Sequence, residues 1–414
     1  MQQRRPGGDF IESRLERALA GAGLSPADRH LCQELAYGVV RWQATLDWLI
    51  AGKTQPRPQK PFLQTLLRLG LYQLFWLERI PNHAAVHATV ELAKRLGSAS
   101  QAGFVNAVLR QCLRESDAIR AALARLRLSQ PHLGYSHPEW LVRRWQARWG
   151  PARAARLLEW NNTPPKTFAR LNALKTKPEL LLARWRQENV EFDPVRRDWL
   201  DESQVFELNS HPPLARLPSF RDGWFYVQDP STLLAPHELA PQPGDSVLDL
   251  CAAPGGKLGC LAQLMRNQGQ LVAYDPAPER RRLLQQNCAR LGLTCMSLLP
   301  SPPPPLFSRV LVDVPCSNTG VMRRRVELRW RLRPDEIERL CATQLELLRE
   351  GAAGLRPGGT LVYSTCSLEP EENDGVVDQF LGGNADFSLA GRRELLPFVD
   401  EVDGAYVARL TKRA

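Results

Sequence analysis

The chain has 414 residues, too many for one ordinary hydrophobic core, so two or three domains are expected. Its 43% hydrophobic content excludes a disordered chain, and a net charge of +10, with arginine dominating the basic residues, fits a polyanionic partner such as nucleic acid. Nothing approaches a transmembrane span, MQQRRPGGDF lacks the apolar core of a signal peptide, and the nine cysteines are scattered without CxxC pairs. The expectation is a cytoplasmic protein, monomeric, with reduced thiols, no membrane association, no disulfide framework and no metal.

From the start to about residue 115 the apolar residues recur at helical spacing. LSPADRHLCQELAYGVVRWQATLDWLI opens with Ser25 as N-cap, Pro26 at the first helical position and Asp28 as a capping acid, and then carries Leu31, Leu35, Val39, Trp42, Leu46 and Leu49 on one face. His83 and His87 stand one turn apart on a helix, and without a third ligand nearby they read as structural rather than metal-binding. Residues 137–172 interleave tryptophan with arginine, which predicts a helix with tryptophans packed inward and arginines available to a phosphate surface. Residues 166–228 have the mixed, short-period pattern of a small α+β module.

From about residue 229 strands and helices alternate. SVLDLC, QLVAYD, TCMSLL, RVLVDV and TLVYST read as buried strands with helices between them, which predicts a doubly wound, mainly parallel α/β sheet covered on both faces. PSPPPP reads as a stiff loop after the third strand. The domain boundaries expected from these changes of rhythm are 1–125, 126–228 and 229–414.

The first strand runs into CAAPGGK, Cys251, Ala252, Ala253, Pro254, Gly255, Gly256 and Lys257, where paired glycines let the backbone approach a ligand at a helix N-terminus. Asp275 ends the second strand, where an acid commonly holds a ribose hydroxyl. A Walker loop is excluded because Cys251 replaces its first glycine and Leu258 follows the lysine, and no GxGxxG spacing occurs. A nucleoside without a pyrophosphate fits, and S-adenosylmethionine is the commonest of these.

The fourth strand delivers Asp313 and, in DVPCSNTG, Cys316; the fifth delivers Cys366 in YSTCSLEPEEN. If these strands are neighbours, both thiols face one cleft, and each is followed by a serine. A methyl donor, an acid and two thiols match methylation at carbon 5 of a pyrimidine, in which a thiolate adds to carbon 6 and makes carbon 5 nucleophilic. Cys32, Cys112, Cys260, Cys288, Cys295 and Cys341 read as packing residues. The run Arg323, Arg324, Arg325, Arg329, Arg331 and Arg333 follows the first thiol directly and reads as a phosphate-contacting surface beside the cleft.

DLCAAPGGK, DVPCSNTG and YSTCSLEPEEN resemble the motifs of the Nol1/Nop2/Sun family of RNA cytosine-C5 methyltransferases. GWFYVQDPST (223–232) is similar to the segment before that family's cofactor strand, and NNTPPKTFARLN to its N-terminal extension. LAYGVVRW, LLRLGLYQLFWLERIPNHAAVHATVELAKRLG and GFVNAVLR resemble a NusB-type RNA-binding domain. The resemblance implies a Rossmann-like S-adenosylmethionine methyltransferase domain behind an all-helical NusB-like domain, acting on 16S rRNA. It implies Cys366 as the nucleophile, Cys316 as the residue that assists product release, and Asp313 in contact with base and cofactor. It places S-adenosylmethionine on Cys251 to Lys257, Asp275 and Asp313. Two departures stand out: SLLPSPPPP has no acid where the family usually places one near the adenine, and Val314 replaces a usual alanine. The rival readings are methylation of a tRNA or another RNA, and a non-catalytic RNA-binding assembly factor.

Overall fold

The computed structural model describes residues 11–54, 59–300 and 307–414. They form two compact units, one running to Thr163 and including Met322–Arg331, the other comprising Pro164–Val321 and Leu332–Ala414.

The first unit is helical: α1 (Ile11–Leu19), α2 (Pro26–Arg41), α3 (Gln43–Ala51), α4 (Pro61–Trp76), α5 (Asn82–Leu96), α6 (Ala99–Arg114), α7 (Ser116–Ser129), α8 (Pro131–Gly134) and α9 (Glu139–Trp160). Ser25 caps α2 by accepting the Asp28 N–H at 3.1 Å, with Pro26 in the first turn, as expected. The single helix expected from 26 onward breaks at Trp42, which leaves α-geometry, so Leu31 stays 40% exposed while Leu46 and Leu49 reach the core. That core joins α3, α4, α5 and α6 through Leu46, Leu67, Leu71, Val105 and Leu109. His83 and His87 lie on the exposed side of α5, so neither packs inward. In α9 Trp145 is buried as expected, but the helix is interrupted at Gly150, where φ is 78° ahead of Pro151.

The second unit begins with β1 (Thr167–Leu171), α10 (Pro178–Gln187), β2 (Glu191–Pro194), β3 (Val205–Ser210), α11 (Pro218–Arg221) and β4 (Phe225–Val227). These strands form an antiparallel sheet in the order β2-β3-β1-β4, with Trp185 of α10 packed against Phe192, Phe206 and Phe225. This is the small α+β module.

The larger sheet follows: α12 (Leu234–Leu239), β5 (Ser246–Asp249), α13 (Gly256–Leu264), β6 (Gln270–Ala273), α14 (Pro278–Leu291), β7 (Met296–Leu298) and β8 (Phe307–Asp313). The chain then supplies α15 (Leu328–Arg331) to the first unit and returns through α16 (Pro334–Ala353), β9 (Leu355–Thr365), α17 (Val376–Gly383), β10 (Phe387–Leu395) and β11 (Ala405–Lys412). The order is β10-β11-β9-β8-β5-β6-β7. The five expected strands are parallel, and two antiparallel strands not anticipated from the sequence, β10 and β11, extend the sheet beyond β9.

Alternate residues of each central strand enter different cores. Val247, Leu311 and Val362 pack with α12 and α13, while Leu248, Val310, Val312 and Leu361 pack with α16 and α17. Truncating one of them, such as the fully buried Leu311, to alanine costs about 2–5 kcal/mol. The order of strands reverses between β5 and β8, and ligands in such sheets bind at the carboxyl ends of the strands flanking that point.

Candidate active site

The turn after β5 is shaped for a ligand. Gly255 has φ of 103°, a left-handed conformation that admits glycine, and it opens α13. Asp275 is fully buried, and its carboxylate braces this turn: Oδ2 accepts the Ala253 N–H at 3.2 Å and Oδ1 the Ala277 N–H at 3.0 Å. Asp249, at the end of β5, was not singled out by the sequence. It is 1% exposed and neither carboxylate oxygen has a hydrogen-bond partner. Burial, then the neighbouring Asp313 charge, pushes its pKa up to about 8. A buried acceptor left unsatisfied beside a glycine turn suits a ligand that brings a hydroxyl or a positive charge, and S-adenosylmethionine has both.

Lys257, on the first turn of α13, donates to Asp313 Oδ2 at 2.7 Å, and Ser364 Oγ donates to Oδ1 at 2.6 Å. Burial disfavours the Lys257 ammonium, but Asp313 outweighs it and holds the lysine pKa above its ordinary value. Burial, then Asp249, pushes the Cys251 thiol up, which makes it an inert wall of the turn.

β8 and β9 are hydrogen-bonded neighbours, with Asp313 opposite Ser364, so the loops that follow them lie side by side. Cys316 and Cys366 Sγ are 3.2 Å apart as free thiols. Cys366 is the more exposed; it contacts Asn318 Oδ1 at 3.2 Å and lines a small pocket with Lys257, Ser364, Ser231 and Asp403. Cys316 is buried, and the hydrogen bond to Cys366, then burial, raises its pKa well above a free thiol. Cys316 is therefore a poor thiolate. The loops touch at Gly320, where an added Cβ would come within 2.7 Å of the Cys366 carbonyl oxygen, so only glycine admits this approach.

Glu372 was not visible as a site residue. A π-type turn at Glu371–Gly375 carries it inward, and it is fully buried. Its Oε1 accepts the Ser317 N–H at 2.8 Å and the Gln344 amide at 2.9 Å, and its Oε2 accepts both the Ser317 and Ser367 hydroxyls. The signal in the sequence was the serine after each cysteine.

The arginine run departs from expectation. Arg323 and Arg329 are buried within the first unit and present no phosphate surface. Arg323 stacks on Trp160 at 4.1 Å. Arg329 donates to the carbonyls of Arg41, Ser136 and Asn161 and, at 2.8 Å, to Asn162 Oδ1. Burial, then the nearby Arg41, lowers its pKa to about 9, which leaves it a cation at neutral pH. Arg325, Arg331 and Arg333 are exposed. The PSPPPP stretch from Ser301 on, and with it the expected lack of an adenine-side acid, lies outside the described residues. Among the described residues no group of three potential metal ligands occurs, and no helix is long and apolar enough to cross a membrane.

The fold is that of a Rossmann-like methyltransferase with a NusB domain at its N-terminus. The match to the 16S rRNA methyltransferase RsmB/F family covers residues 236–411, the NusB family 3–114, and the ferredoxin-like domain of RsmF/B-like methyltransferases 137–199. A Synechocystis protein called probable ribosomal RNA small subunit methyltransferase B is 36% identical, with 97% of this chain and 95% of the relative aligned. Ribosomal RNA small subunit methyltransferase B of Klebsiella pneumoniae is 36% identical, covering 94% of this chain and 91% of the relative. Among solved structures, the methyltransferase homologue from Pyrococcus horikoshii is 32% identical with a TM-score of 0.60, covering 68% of this chain and 97% of that one. PH0851, at 24% identity, shares the fold with a TM-score of 0.78 over 96% of this chain and 93% of its own. The chain belongs to the RsmB/F family of 16S rRNA methyltransferases.

Proposed function

We propose that this protein methylates carbon 5 of a cytosine in 16S rRNA, with S-adenosylmethionine as donor and a covalent cysteine–pyrimidine intermediate. The observation that carries the reading is the pair of thiols 3.2 Å apart at the ends of adjacent parallel strands. The names of the aligned relatives support rRNA as the substrate. The backbone of Cys251 to Lys257 would hold the donor, with Asp275 bracing that turn and Asp249 and Asp313 as its acidic contacts. Bound there, S-adenosylmethionine supplies an electrophilic methyl group.

Cys366 is the more exposed sulfur and lines the pocket, so it is the one placed to lose its proton to solvent and attack carbon 6 of the base as a thiolate. The S–C6 bond forms as the C5–C6 double bond opens and N3 takes up a proton from solvent, returned when the ring double bond re-forms; Asp313, held by Lys257 and Ser364, accepts from that N3–H. After carbon 5 is methylated its proton is lost to solvent, the double bond re-forms and the S–C6 bond breaks. The Cys366 thiolate then leaves toward the Cys316 S–H donor, which stabilises it and assists release. The helical domain, residues 1–125, serves RNA binding in this reading. Bisulfite sequencing of rRNA and tRNA from cells lacking the gene tests it: one 16S rRNA cytosine should lose its methylation. A loss confined to tRNA would replace the substrate, and no loss anywhere would favour a non-catalytic factor.

A further inference from the structure

One buried carboxylate reaches both thiol loops. Glu372 takes the hydroxyls of Ser317 and Ser367 on the same oxygen, and those hydroxyls lie 3.0 Å from each other. Its other oxygen takes the Ser317 N–H and the Gln344 amide, and Gln344 in turn donates to the Pro315 carbonyl at 3.0 Å. The residues gripped are the immediate neighbours of Cys316 and Cys366. The donors are neutral and shielded from water, a setting in which each hydrogen bond is strong and each missing one costly. Two further bonds tie Glu372's own turn to the Cys366 loop: Thr365 Oγ1 to Asn373 Oδ1 at 2.6 Å, and Asn373 Nδ2 to the Ser367 carbonyl at 3.0 Å. Tyr363 of β9 donates to the Glu372 carbonyl at 2.6 Å.

We propose that Glu372 is a positioning residue that holds the two thiol-bearing loops in register through the serine that follows each cysteine. It touches neither substrate nor donor. It fixes the sulfur–sulfur separation on which the contact between the two thiols depends. The inference rests on the covalent reading above, because only there does the separation govern a chemical step.

The test uses the full chain and three variants: Glu372→Ala, Glu372→Gln and the double variant Ser317→Ala/Ser367→Ala. The first readout is the rate at which diamide closes a Cys316–Cys366 disulfide, followed by mass spectrometry of the linked peptides. The two thiols lose two electrons and two protons to the azo bond of diamide, which becomes a hydrazine, so the rate reports how the sulfurs are held. The second readout is kcat and KM for RNA, with S-adenosylmethionine affinity measured by calorimetry.

In Glu372→Ala and the double serine variant, disulfide closure should slow about ten-fold or more. In the same variants kcat should fall on the order of 10²-fold, the scale of a reacting group displaced by about 1 Å, with KM and donor affinity unchanged. Glu372→Gln should recover most of both, because its carbonyl still accepts the two N–H donors and the hydroxyls turn to accept from its amide. If Glu372→Ala does not fold, the serine pair decides. A wild-type disulfide rate in the serine pair overturns the proposal, whatever happens to kcat. Turnover in Cys366→Ala would overturn the covalent reading instead, and the disulfide rates would still report whether Glu372 positions the loops.

Discussion

The loop carrying Cys316 and the arginines from Arg323 to Arg331 that follow it are continuous in sequence, yet they belong to different units and meet different fates. The cysteine stands just past the end of a parallel strand, next to the reversal in strand order, where the fold itself directs side chains toward a ligand cleft. The arginines have no such constraint. Arg329 is absorbed into the helical unit, where carbonyl oxygens at the ends of α2 and α9 replace its water. Charge in a sequence states what a residue prefers when exposed; position at a strand end states where it is.

The contrast breaks most sharply with Cys366→Ala, which should lower methylation on the order of 10⁴-fold or more if that sulfur is the nucleophile. Near-normal turnover in a purified assay would make the thiols packing residues like Cys112.

Arg329→Ala should act on stability rather than RNA. Removing the guanidinium leaves three carbonyls and the Asn162 side chain without their donor, a loss of about 3–5 kcal/mol by denaturant titration. The salt slope of RNA binding by the folded fraction should not change; a flatter slope would restore a phosphate role.

Asp249 sharpens the same contrast by proton linkage. With its pKa near 8, its carboxyl is mostly protonated at pH 7, so pairing with a cationic donor should expel a proton. Affinity for S-adenosylmethionine should therefore rise as pH goes from 6 to 8 and level off above. Calorimetry in buffers of different ionisation enthalpy measures the release. Asp249→Asn should abolish both the release and the slope, and an unchanged proton release in that variant would remove Asp249 from the site.

The smallest effect is expected at exposed Arg325. If it meets one phosphate, Arg325→Ala should flatten the log–log salt slope of RNA binding by roughly 0.7–0.9. No change would mean the run lacks a phosphate role there too.

The parallel strands were legible because Val, Leu and Tyr run unbroken where both faces of a sheet are covered. The turn at Gly255 was legible because glycine alone suits its conformation. β10 escaped because FSLAGRREL carries polar residues at alternate and consecutive positions, as suits a sheet edge. Asp249 reads as an ordinary strand end, since its orphaned oxygens are a matter of what surrounds it. Glu372 lies in an acidic stretch, EPEEN, that looks solvated, and only the π-type turn buries it. The paired serines were visible but not their shared carboxylate, because nothing in the sequence says that residues 317, 367 and 372 meet.

The central claim is that two thiols divide attack and release. Cys316→Ala, incubated with 16S rRNA and S-adenosylmethionine and run on a denaturing gel, tests it directly. The account predicts a protein–RNA adduct that requires the methyl donor and vanishes in Cys316→Ala/Cys366→Ala. A stable adduct in Cys366→Ala instead, or none in either single variant while both still turn over, would contradict it.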